Sequence, residues 1–160
     1  MKRFLVGAIL SMLCTILFGS FATPATAANG VDETQKSAAA VSAVDDHWTR
    51  AEVHGDVAWL DGMLLPQYRS IGANGVASPK SKILASAKKN ATSDKMARLV
   101  AKYMKEHPSG RNITIEGDTA IVNFYAPKIG AQRGVMSCDV FIYKSGRWHA
   151  LYSQHTTVKG

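Results

Sequence analysis

The chain has 160 residues, 46% of them hydrophobic and 19% charged, with a formal net charge of +7. That composition excludes a disordered tail or a fibre and fits one domain with one core. The basic excess is moderate and lacks the interleaved aromatics that stack bases, so no nucleic-acid partner is expected.

The first stretch is set apart from the rest. Lys2-Arg3 is a short basic start, Phe4 to Phe21 is an uncharged apolar run, and Ala25-Thr26-Ala27 is a small-x-small cleavage site. This order predicts a signal peptide over 1–27, export to a periplasmic or secreted location, and no stable membrane insertion after cleavage. Loss of Lys2 and Arg3 leaves 17 of the 19 Lys and Arg against 12 acids. It also leaves Cys138 as the single cysteine, so no internal disulfide forms; its place in an apolar strand predicts a buried, inert thiol.

Residues 28–36 are small and polar, a flexible lead-in to a domain over 37–160. From Ser37, Val41, Val44, Trp48 and Ala51 recur at helical spacing, with Asp45, Asp46, Thr49 and Arg50 placed off that stripe. Gly55 ends this helix, and Asp56 caps a second one carrying Val57, Trp59, Leu60, Met63 and Leu64, closed by Pro66. Gln67 to Gly72 reads as a short strand and Ala73-Asn74-Gly75 as a turn. Ser78-Pro79 has the pattern of a capped helix start, and that helix runs to about Asn90. Ser93 caps a further helix with Met96, Leu99, Val100, Tyr103 and Met104 on one face. Over Pro79 to His107, eight Lys and Arg stand against Asp94 and Glu106, a local +6 read as a solvated face, with an acidic partner or lipid headgroup as the alternative.

After His107-Pro108-Ser109-Gly110 the period changes to two. A short strand around Ile113 and Ile115, then Gly117 to Lys128, Gln132 to Trp148 and His149 to Val158, rich in Val, Ile, Phe, Tyr and Thr, form an antiparallel meander with turns at Glu116-Gly117-Asp118 and Lys144-Ser145-Gly146-Arg147.

No metal or cofactor is implied. His47 and His54, or His149 and His155, lack ligand spacing, and there is no phosphate loop or nucleophile elbow.

Gly117-Asp118-Thr119-Ala120, Asp139-Val140-Phe141, Gly146-Arg147-Trp148 and Ser153-Gln154-His155-Thr156, preceded by Trp48-Thr49-Arg50-Ala51, Gly55-Asp56, Leu60 and Asn74-Gly75, follow one another as in a known superfamily. Over about Val41 to Val158 the chain resembles the nuclear transport factor two-like superfamily, especially its exported SnoaL-like and ketosteroid isomerase-like members. The resemblance implies an α+β fold, with N-terminal helices packed in a cone against a strongly curved antiparallel sheet. It implies a pocket for a small apolar or carbonyl-bearing ligand, with Trp48, Tyr68, Phe141, Tyr152 and Gln154 as ligand-binding residues. Asp139 stands near the place of an oxyanion-binding acid in the isomerases, and His155 titrates near neutrality, so these two are the catalytic candidates. The isomerases take their base from the first strand, and Tyr68-Arg69-Ser70-Ile71-Gly72 offers no carboxylate.

Three functions follow in order: a small-molecule-binding domain without catalysis, a SnoaL or ketosteroid-isomerase-like enzyme acting on a small carbonyl compound, and an assembly or interaction module using Lys80 to Lys105. A homodimer is also expected. Met136, Cys138, Val140 and Ile142 make one face of their strand apolar while the other face is half apolar, which calls for cover on both sides.

Overall fold

The computed structural model describes residues 30–157, so the signal-peptide reading and Val158 lie outside the described residues. The elements are α1 (Ala38–His54), α2 (Val57–Met63), β1 (Leu64–Ile71), β2 (Ala77–Pro79), α3 (Lys80–Asn90), α4 (Lys95–Glu106), β3 (Gly110–Glu116), β4 (Thr119–Tyr125), β5 (Val135–Lys144) and β6 (Arg147–His155). The strands form one sheet in the order β2-β1-β6-β5-β4-β3. Four consecutive strands, β3 to β6, pair antiparallel, as their alternation predicts. β1 joins β6 in parallel, and β2 folds back on β1. The helices pack against this sheet, the α+β arrangement expected.

Local chemistry sets the helix ends. The Ser37 hydroxyl accepts from the Ala40 amide at the start of α1, a cap worth about 1 kcal/mol. Gly55 closes α1 at φ 76°, and a side chain there would also meet the Ala91 backbone at 2.5 Å. Asp56 accepts from the Trp59 amide and starts α2. The two-residue turn at Ser145 and Gly146 has φ 53° and 79°, the left-handed pair that matches strand twist.

Three boundaries differ from the sequence reading. α2 stops at Met63, and Leu64 to Pro66 belong to β1. Pro66 is tolerated there because the β1–β6 register skips between Leu64 and Arg69, so its missing N–H interrupts no regular ladder. Ser78 and Pro79 form β2 instead of a capped helix start, and Pro79 precedes α3 without a side-chain cap. Asp94, not Ser93, is the residue before α4; Ser93 accepts only from the Lys95 amide.

The core lies between α1, α2 and one face of the sheet. Val41, Val44, Leu60, Leu64, Val122, Phe141, Trp148 and Ala150 are buried there. The segment before α1 is fastened to the same core. Glu33 is buried and holds the His47 ring nitrogen at 2.9 Å; the Tyr143 hydroxyl donates to the Thr34 carbonyl, and the Trp148 indole to that of Gln35.

Candidate functional site: a buried acid cluster between α1 and the sheet

Alternation along β5 sends Ser137, Asp139, Phe141 and Tyr143 to the helix-covered face, and Met136, Cys138, Val140 and Ile142 to the outer face. On β6 a bulge at Leu151, opposite Val140 and Phe141, resets the phase. Ala150, Ser153 and His155 therefore share the inner face with Asp139. Asp139 lies opposite Ser153, and Ser137 opposite His155.

Asp139 is 7% exposed, and burial pushes its carboxyl above the usual carboxylate range. The Ser153 hydroxyl, His155 and Arg111 pull the other way without cancelling that effect. Ser153 accepts from the Tyr68 hydroxyl at 2.9 Å and stands opposite Asp139 in the β5–β6 register, so β1, β6 and β5 bring the three side chains together. Burial also pushes the Tyr68 phenol up, so it stays a donor.

The helix supplies two more carboxyls. Asp45 is buried on α1 with its pKa pushed up to about 7, first by burial and then by the charge of Asp139. The Arg111 guanidinium stands 3.0 Å from Asp45 and 2.7 Å from Asp46, bonds to the Ser42 side chain, and lies over the Phe124 ring. It is shared between two acids, so it offsets Asp45's desolvation only in part. Glu52, one turn beyond Trp48, accepts from the Trp48 indole at 2.8 Å; burial and Asp139 raise its pKa, and the indole bond lowers it. Carboxyls whose pKa is raised in this way, once protonated, can donate a hydrogen bond to a carbonyl, or exchange a proton with a bound molecule.

Asp139 and His155 thus share a face, with His155 exposed at the open end and its Nδ1 3.1 Å from Ser137 Oγ. Trp48 packs edge-on against Tyr68 at 5.6 Å and Phe141 at 5.9 Å, beside the cluster. All three rings are buried and fill the space between α1 and the sheet. Tyr152 and Gln154 stand on the outer face and bond to each other, away from these three. A shallow hollow of about 440 Å³ lies there, lined by Gln67, Arg69, Val140, Leu151 and Tyr152. A second, of about 130 Å³, lies by Val44, Trp59, Met63 and Trp148. Cys138 is half-buried on the outer face, and burial pushes its thiol up.

Asp45, Glu52, Arg111 and Ser153 escaped the sequence reading. The helical spacing puts Asp45 off the apolar stripe, and the structure corrects this: it follows Val41 by four residues, precedes Trp48 by three, and is buried with them. β1 carries no buried carboxylate, and the carboxyls of Asp45 and Glu52 come from α1. Among the described residues no group of three or more His, Cys, Asp or Glu is arranged to hold a metal ion.

The helices, the bulged sheet and the strand order define a nuclear transport factor two-like fold. An NTF2-like protein from Cytophaga hutchinsonii superposes with a TM-score of 0.53 at 15% identity, over 78% of this chain and 100% of that one. An NTF-2 like protein of unknown function from Silicibacter pomeroyi gives 0.50 at 14% identity, over 72% and 91%. A conserved protein from Planctomyces limnophilus gives 0.50 at 15% identity, over 75% and 94%. No protein-family model matches the chain, and no curated protein matches it.

Proposed function

We propose that this chain is a small-molecule-binding domain whose ligand docks by a carbonyl group at Asp139. The observation that carries this reading is the position of Asp139: a buried carboxyl with a raised pKa, opposite Ser153, which Tyr68 holds. Burial favours the protonated form of Asp139, and that form is a hydrogen-bond donor in dry surroundings, where such a bond is strongest. A ligand would approach along the inner face past Ser137, which is partly exposed, and His155, which is exposed. Amide NMR titration with a panel of small carbonyl compounds tests this. Saturable shifts should centre on Asp139, Ser153 and Tyr68, and weaken about fivefold or more in Asp139→Asn, a loss of roughly 1 kcal/mol. Shifts confined to the outer hollow would remove the reading.

One arrangement favours the enzyme alternative: α1 brings a second buried carboxyl, Asp45, into the same cluster, with its pKa pushed up to about 7, chiefly by burial. Two carboxyls in different surroundings are an acid and a base in waiting. Proton exchange next to the carbonyl of a bound compound in heavy water, lost in Asp45→Asn, separates catalysis from binding.

Two further expectations complete the proposal. The protein works outside the cytoplasm after loss of 1–27, which the intact mass of secreted protein tests. Two copies pair through the outer sheet face, where Ile121 is exposed and Met136, Val140 and Ile142 half-exposed. A monomeric mass by light scattering at micromolar concentration would contradict the pairing.

A further inference from the structure

Helix α4 has an apolar side without cover. Met96 is 41% exposed, Leu99 52%, Tyr103 64% and Met104 57%; Val100 is half-buried, and no residue of the helix is fully buried. At 3.6 residues per turn these five share one arc of less than half the circumference, while Lys95, Arg98, Lys102 and Lys105 share the opposite one. The only acid in the helix is Glu106, 3.9 Å from Lys102. Neighbouring α3 adds Lys82, Lys88 and Lys89, and among these cations only Lys102 is ion-paired in the described residues. A helix that met only water would lose nothing by carrying polar residues where Leu99 and Tyr103 stand, and an exposed apolar stripe of this size marks an interaction surface.

We propose that α4 lies flat on an anionic lipid surface. Charge selects this occupant. Eight Lys and Arg over 79–107 face two acids, so a second copy seated on α4 would bring two +6 segments together. The shape agrees: the apolar side chains project from a protruding helix, ready to enter the boundary between headgroups and acyl chains. Tyr103 stands at its centre, and the Lys stems are long enough to lift their ammonium groups to the phosphates. The contact is adsorption and not spanning, for no described helix is long and apolar enough to cross a membrane. Each cation near such a surface adds attraction that salt screens.

Hydrogen–deuterium exchange on the full chain tests the proposal locally. Vesicles of phosphatidylglycerol with phosphatidylcholine are added at low salt, and peptides covering α4 are followed. Exchange of α4 is expected to slow about tenfold or more on these vesicles, to be unchanged on pure phosphatidylcholine, and to recover at high salt. Leu99→Ser with Tyr103→Ser, both exposed and so compatible with folding, should abolish the protection while leaving the circular dichroism spectrum unchanged. Protection of other segments but not α4 would assign lipid contact elsewhere and overturn the proposal. So would equal protection by soluble polyglutamate, which points to an acidic protein, or protection without lipid at rising protein concentration, which points to a second copy.

Discussion

The Tyr68 hydroxyl on β1 donates to Ser153 on β6 at 2.9 Å, across 85 positions of chain. This bond crosses the parallel β1–β6 seam and fixes the serine opposite Asp139. Tyr68→Phe keeps the ring against Trp48 and removes the donor. It should cost about 1 kcal/mol in urea unfolding. It should also weaken carbonyl-ligand binding, because Ser153 is then free to turn away from Asp139.

Stability should fall as pH rises from about 4 to about 7. Asp45 has a folded pKa of about 7 against an ordinary value of 3.8. Between those values the folded state holds a proton that the unfolded state has released, so raising the pH favours unfolding. The contribution is fully present below 3.8 and lost above 7. Asp139 and Glu52, both raised, act in the same direction. Denaturant midpoints at pH 4.5, 6 and 7.5 should decline, and the decline should be shallower in Asp45→Asn.

Arg111→Met should cost about 3 kcal/mol, since it leaves Asp45 buried beside Asp139 without its cation. Adding Asp45→Asn should return a large part of that loss. A double-mutant cycle with no coupling would show that Arg111 acts through Asp46 alone.

Gly55→Ala should destabilise by about 2 kcal/mol or more, because a Cβ there meets Ala91 in a backbone conformation that L side chains resist. Gly75→Ala, with positive φ and open space around it, should cost less. Thermal unfolding of the pair separates crowding from backbone strain.

The legible parts of the fold were those set by local chemistry. Ser37, Gly55 and Asp56 announce their helix ends, and alternation in β3 to β6 announces the meander. The parallel pairing of β1 with β6 was not legible, because it joins segments far apart and passes through a register skip that makes Pro66 acceptable. The site was legible in Asp139 and in the rings of Trp48, Tyr68 and Phe141. It was hidden in Asp45 and Glu52, whose charge argues for water in any composition-based reading. The bulge at Leu151 also escaped notice. It shifts the phase of β6 so that Tyr152 and Gln154 face outward while Ser153 and His155 face Asp139.

The central claim is that a ligand carbonyl accepts a hydrogen bond from neutral Asp139. The most direct measurement is a carbon-13 NMR titration of the Asp139 carboxyl, with and without a saturating carbonyl compound found by the amide screen. A ligand that binds the protonated form must raise the apparent pKa of Asp139, by the same coupling that makes its own binding weaken as pH rises. The account predicts an upward shift of about one unit or more, matching a tenfold preference for the protonated form. An unchanged or lowered pKa at saturation would contradict it.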